Sequence, residues 1–277
     1  MSNKSKQLSE KLKFYNVLLL GALMILIITL TTVLFLKLFG FGIYYKTESR
    51  QKNIEQSKQN DTKEYETIGW IRVQGTNIDY PLYGVIKEGY DYPVTDSYLW
   101  SMNLDSSYHN VLITYGHNIM NLGPQPKLHN KAFTRMEQLM SFVYYDFAED
   151  NEYIQLSMNG RDYLYKIFAA NFMYVADLNE YPEGEFENED KKNYVNRLLK
   201  ESIYDYDIEV KDDDDILSVV TCTRFFEDGK NYDFLISGRL VRPGEKIKKY
   251  KVKRNKNYTK IEEKLKGDDQ NEKDENV

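Results

Sequence analysis

At 277 residues, 42% of them apolar and 14% aromatic, the chain can bury a sizeable core, and 37 basic against 43 acidic residues leave a net charge of −6. That balance argues against an overall basic nucleic-acid binder, and no zinc-finger or glycine-rich phosphate-loop spacing is present. A single cysteine, Cys222, excludes an internal disulfide; with three histidines, at 109, 117 and 129, it offers no metal-ligand spacing, so no structural metal is expected.

In chain order, a short N-terminal tail (1–13) precedes residues 14–36, FYNVLLLGALMILIITLTTVLFL, 23 positions without a charge. As a helix rising about 1.5 Å per residue, that run reaches roughly 35 Å, enough to cross a bilayer. Its fifteen Leu, Ile, Val and Phe residues favour insertion by roughly 5 kcal/mol or more. A cleaved signal peptide is the rival, but its apolar core runs only about 7–15 residues and ends at a small-residue site, which this run lacks. An uncleaved anchor is therefore expected. Lys4, Lys6, Lys11 and Lys13 before the span are balanced by Lys37, Lys46, Arg50 and Lys52 after it, so charge does not choose the orientation.

Residues 46–66 are polar, charged and free of Pro and Gly, which predicts a partly helical stalk over 37–65. A body over 66–245 opens with TIGWIRVQGTNIDYP (67–81), read as a hairpin whose second strand Pro81 confines to an edge or an end. Further strands are predicted at 111–115, 152–158, 162–175, 216–222 and 232–241, with NGR (159–161) as a tight turn between the second and third of these. Helices are predicted over 131–142 and 188–203. Many short strands with one or two helical crossovers indicate a mainly β fold, a barrel or sandwich with a few peripheral helices. Residues 246–277, basic and then acidic, read as a charged, disordered tail, with contact to anionic polymers or lipid headgroups as the alternative.

The candidate chemistry lies at strand ends. ILSVVTC (216–222) ends on Cys222, and VLITYGH (111–117) ends on His117. A lone cysteine is more often an inert small hydrophobe than a nucleophile. An imidazole beside it would favour the thiolate and return a proton to a leaving amine, provided that both strand ends share one rim. His109 and His129 read as surface or loop residues, and Asp212 to Asp215 as an acidic turn rather than a calcium site.

The order of GWI (69–71), ITYGHN (113–118), ILSVVTC (216–222) and LISGRLV (235–241) resembles class B sortases, the membrane-anchored cysteine transpeptidases of Gram-positive bacteria. The resemblance spans about 66–242. It implies an eight-stranded sortase-type β-barrel preceded by the transmembrane helix, on the cell membrane with the catalytic domain outside. It also implies cleavage of an NPxTN-like C-terminal sorting motif through a Cys222 thioester, with His117 as acid and then base. The acyl group would pass to an amine of peptidoglycan or of another surface protein, with no cofactor. Thr221, Asn118 and Tyr115, flanking the reactive pair, are expected to contact substrate.

One position departs from the family. An arginine is expected just before the apolar run of the last strand, and Asp233 stands there. An acid repels an oxyanion that a guanidinium would hold. Arg239, six residues along, lies roughly 20 Å away at about 3.3 Å per residue. Arg224, two residues after Cys222, is the nearer substitute, with Lys230 or a backbone donor as alternatives. Two rival readings remain open: an altered or inactive peptide-binding module, and a thiol protease that releases its product to water.

Overall fold

The computed structural model describes residues 3–39, 49–63, 65–85, 99–101, 110–118, 136–174, 188–226 and 230–274. The chain divides into two compact units, Met1–Lys46 with Ile247–Lys249, and Thr47–Lys246 with Tyr250–Val277. The first is dominated by one helix, α1 (Asn3–Phe39). Its segment Lys13–Thr31 has a mean hydropathy of 2.2 and buries none of its surface in protein, so by length and composition it can cross a membrane, as an anchor or a signal sequence would.

Among the described residues the second unit has ten strands, β1 (Tyr65–Val73), β2 (Asp79–Val85), β3 (Leu99–Ser101), β4 (Val111–Gly116), β5 (Tyr153–Met158), β6 (Arg161–Tyr174), β7 (Tyr204–Tyr206), β8 (Ile216–Thr223), β9 (Tyr232–Leu240) and β10 (Val252–Arg254). Eight of them close a barrel in the order β1-β2-β3-β4-β8-β9-β6-β5, while β7 and β10 pair separately. The fold is mainly β, as the strand pattern predicts.

Local chemistry sets the registers. Asn159 and Gly160 both take positive φ (52° and 73°), the type I′ geometry that suits the right-handed twist of the β5–β6 hairpin. The β1–β2 turn places Gly75 at φ 75°, where a Cβ would strike the Asn151 amide. Pro81, near the start of β2, pairs with Trp70 on β1, and the β2–β3 ladder starts only at Leu82, so the proline with no N–H to give stands at the unpaired end of β2 on that side.

The 3₁₀ turn Met136–Val143, followed by helix α3 (Tyr145–Asp150), stands where a helix over 131–142 is expected, and residues 131–135 lie outside the described ones. Helix α4 (Asn188–Glu201) forms as predicted and lays Tyr194, Val195 and Leu198 over Val111, Ile113, Ile216, Val220 and Leu235. That contact defines an outer face of the sheet, to which odd residues of β4 and β9 and even residues of β8 belong. Leu112, Thr114, Leu217, Val219 and Thr221 turn to the other side, all buried.

Two expected boundaries move. The end of the polar stalk is part of the domain: helix α2 (Gln51–Ser57) buries Ile54, Ser57 bonds the Tyr83 hydroxyl, and Arg50 grips Asp79 at 2.7 and 3.0 Å. The segment after 246 is also ordered rather than a solvated tail. It supplies β10 and helix α5 (Lys256–Asp274), and Tyr250, Val252, Tyr258 and Ile261 are buried. The Tyr250 hydroxyl donates to the Ile167 carbonyl at 2.7 Å and also bonds the Glu152 carbonyl. Four apolar residues spaced among lysines escape a composition reading, yet each contributes roughly 1.5–3 kcal/mol on burial.

Glu245 ties the barrel's far end, pairing with Lys166 at 2.6 Å and with Arg239 at 2.6 and 2.8 Å, two cations that are almost wholly buried. The Arg239 guanidinium, outweighing burial and helped by Lys166, holds this carboxyl well below the usual glutamate range. Glu245→Ala is expected to cost about 2–3 kcal/mol, somewhat under the figure for a fully buried pair because Glu245 is 23% exposed. Chemical unfolding of the detergent-solubilised protein measures it. The folded-state pKa is depressed, so the advantage of the native residue is full above roughly pH 4–5 and shrinks as pH falls through the folded value.

Candidate active site

The central geometric fact is that β4 and β8, a hundred residues apart, pair in parallel: Val111 with Ile216, Ile113 with Ser218, Tyr115 with Val220. Parallel strands end at the same rim. Continuing that register by two residues sets His117 beside Cys222. Three hydrogen bonds hold the junction. Thr221 Oγ1 donates to the Gly116 carbonyl at 2.7 Å, Asn118 Nδ2 donates to the Cys222 carbonyl at 3.0 Å, and Cys222 Sγ donates to the Asn118 carbonyl at 3.7 Å.

Both reactive candidates are partly exposed as residues. Burial lowers the pKa of His117, which keeps the imidazole neutral at physiological pH and able to accept a proton. The Cys222 sulfur gives its hydrogen to a backbone carbonyl through a long, weak bond, so the thiol rests as a donor.

On the other side of Cys222, antiparallel β9 places Asp233 directly opposite it, and β6 continues the row with Met173. Asp233 is 2% exposed, and burial pushes its carboxyl up to about 7, against a hydrogen bond from the Tyr115 hydroxyl at 3.4 Å. Tyr115 is held well above the ordinary phenol value by burial first, then by the Asp233 carboxyl and the Cys222 side chain, which it also meets.

Beneath the site, Phe172, Phe225, Phe226, Phe234 and Tyr232 form a continuous set of ring contacts, at centroid distances of 4.8–5.1 Å. These rings anchor the chain that leaves Cys222 and thereby fix the strand end.

Neither a family sequence model nor a curated protein sequence matches the chain. Solved structures do. Clostridium perfringens sortase B matches at 23% identity and TM-score 0.54, over 68% of this chain and 100% of that one. Sortase B of the type II pilus of Streptococcus pneumoniae matches at 23% and 0.51, over 67% and 96%. The Staphylococcus aureus sortase B–substrate complex matches at 17% and 0.53, over 74% and 92%. The chain has the class B sortase fold.

Within that sortase barrel the expected residues separate into three groups. Tyr115 meets Cys222, and the β4–β8 register carries His117 to the same rim. Thr221 and Asn118 do not offer surface to substrate, being 0% and 1% exposed, and their polar atoms hold the β4–β8 junction. Expected as peptide contacts, both have as their observed partners the backbone carbonyls of Gly116 and Cys222. Arg239 is excluded from the site as its spacing predicts, pairing opposite Ile216 at the far end of β9.

Arg224 is exposed and makes no hydrogen bond or ion pair among the described residues, and the Lys230 ammonium lies 5.3 Å from the Tyr174 ring centre. The acidic turn is structural: burial raises the Asp214 carboxyl, but bonds from Arg242 and the Lys211 amide outweigh it and leave it lowered. No metal-binding cluster of His, Cys, Asp or Glu occurs among the described residues. His109, His129 and the loop 121–130 lie outside those residues.

Sequence reasoning treats Asp233 only as a missing arginine and misses its contact with Tyr115. Pairing Cys222 with Asp233 follows only once the turn between β8 and β9 is known to keep the two strands in register.

Asn118→Ala strips a partner from a half-buried carbonyl and is expected to cost about 1–3 kcal/mol, with Thr221→Val near 1 kcal/mol. Chemical unfolding midpoints check both; unchanged midpoints would mean that the junction is held by strand pairing alone.

Proposed function

We propose that this protein is a membrane-anchored cysteine transpeptidase of the sortase B type, with residues 14–36 as an uncleaved single-pass anchor and the barrel outside the cell. The observation that carries the reading is the parallel β4–β8 register in a sortase B-type barrel, which brings a partly exposed thiol and the His117 imidazole to one rim. His117 takes the Cys222 proton, and the sulfur attacks the threonyl carbonyl of an NPxTN-like sorting motif. The C–N bond then breaks as the imidazolium protonates the departing amine, leaving a thioester. An incoming amine, of peptidoglycan or of a surface protein, loses its proton to His117 and displaces the sulfur. Similar barrels have been solved with a sortase substrate and with triglycine, an amine-terminated peptide, which supports both half-reactions in this reading.

Arg224 is proposed as the cation that steadies the tetrahedral oxyanion, since its guanidinium is exposed two residues from the nucleophile. A second reading has its own observation in Asp233. A carboxyl where the resemblance implies an arginine suits a module that binds sorting peptides without cutting them.

Intact mass spectrometry of the full chain in detergent, mixed with NPxTN-type peptides, separates these readings. An acyl adduct on wild type and none on Cys222→Ala supports the thioester. A ligated product on adding triglycine supports transpeptidation, and hydrolysis despite triglycine would mean a thiol protease. Peptide binding with no adduct under any condition would favour the binding module. Arg224→Ala is expected to lower turnover by about tenfold to several hundredfold if it holds the oxyanion, and unchanged turnover removes it from that role.

A further inference from the structure

The position of Asp233 raises a problem beyond the missing arginine. Cross-strand partners in an antiparallel pair hold their Cβ atoms about 5 Å apart. A carboxylate there faces the sulfur at the moment it becomes a thiolate. Two anions at such a separation in a buried setting disfavour each other, and one of them keeps its proton.

Among the described residues, the titratable or charged groups around Asp233 are Tyr115 and His117 from β4 and its end, Cys222 from β8, and the exposed Arg224 and Lys230 of the β8–β9 turn. The facing residue on β6 is Met173, which has no charge. No cation is paired with Asp233 among them. Of these groups, Tyr115 is the one in contact with both the carboxyl and the sulfur.

We propose that Asp233 and Tyr115 form a donor chain to Cys222, with the Asp233 O–H bonding the phenol oxygen and the Tyr115 O–H turning to the sulfur. The chain occupies the place where the resemblance implies an arginine. It rests on Cys222 being the reactive group of the proposed function, and deepens that reading. Tyr115 touches the sulfur, whereas Asp233 acts through Tyr115 as a positioning residue.

No net proton transfer is required along the chain. When the thiol proton goes to His117, the Tyr115 hydroxyl ceases to donate to Asp233 Oδ1 and rotates to the thiolate. Asp233, carrying its own proton, then donates to the oxygen that Tyr115 has exposed. An ionised Asp233 cannot make that donation and instead holds the Tyr115 hydrogen for itself. The pKa near 7 that burial gives Asp233 keeps much of it in the donating form at neutral pH. Anion stabilisation at the sulfur is therefore strongest below neutrality and declines as pH rises through that value.

The test reads the thiol without any sorting peptide, so that its failure and the failure of transpeptidation are distinct. The rate of Cys222 alkylation by iodoacetamide is followed by mass spectrometry from pH 5 to 10 on the full chain in detergent. Wild type is expected to give a broadened rise, spread over more than one ionisation, because loss of the Asp233 proton opposes loss of the thiol proton. Asp233→Asn, which keeps a donor and cannot ionise, is expected to give a single steeper rise at lower pH, alkylating about tenfold faster near pH 7.5 for a one-unit shift. Tyr115→Phe removes the link and is expected to move the rise to higher pH.

A wild-type profile with a single ordinary ionisation overturns the proposal without reference to any variant, so a variant that fails to fold does not protect it. A shifted Asp233→Asn profile with an unchanged Tyr115→Phe profile also overturns it, leaving only through-space charge. A coupled profile in a protein that never acylates would sustain the donor chain while removing the transpeptidase reading.

Discussion

The parallel pairing of β4 with β8 is the constraint on which the rest depends. In sequence, the two strands are separated by about a hundred residues that include a hairpin and a helix, and nothing local brings them together. Because they run the same way, their C-terminal ends reach one rim, and the register sets a histidine just past one strand level with a cysteine near the end of the other. An antiparallel pairing would have sent the two groups to opposite ends of the barrel. The same register makes Thr221 and Asn118 interior fastenings, since their polar atoms close the gap where the ladder itself stops.

The far end supplies the opposing requirement. There Glu245, Lys166 and Arg239 close the barrel with charge, and Tyr250 and its neighbours wrap the outside with apolar surface. Helix α4 covers the outer face of β4 and β8 up to Val220, and Cys222 lies one step further along that face. A nucleophile needs this arrangement: a strand held rigid by buried packing, with the partly exposed Cys222 one residue from its end. The aromatic set under the β8–β9 turn has the same effect from the other direction, fixing the chain that leaves the cysteine.

Much of this was legible in the residues. Alternation and turn chemistry give the five long central strands because each carries enough apolar residues to mark a period, and Asn159-Gly160 admits only a tight hairpin. The three-residue strands β3, β7 and β10 were not legible, since three residues show no period. The charged C-terminal segment misled for a related reason: lysines dominate its composition, while four spaced apolar side chains decide its fate. At the site, the types and order of Cys222 and His117 were visible, but the cross-strand partner of the cysteine was not. Asp233 is one residue among many acids until β9 is set in register, and only then does its burial against Tyr115 acquire meaning.

Asp233 stands, buried at this rim, where the sequence resemblance implies an arginine. The similar solved structures, at 23% identity or less, share the scaffold, and the chemistry of this chain must be argued from its own side chains. Both proposed half-reactions depend on the adjacency of His117 and Cys222, and an engineered disulfide tests that directly. Neighbouring strands lie about 4.8 Å apart, within the Cα separation of about 4.4–6.8 Å that a disulfide spans. Mild oxidation of His117→Cys is predicted to yield an internal bond to Cys222, seen as a loss of two mass units and of both alkylatable thiols. Persistence of two free, alkylatable thiols under oxidation of the folded protein would contradict the adjacency and everything built on it.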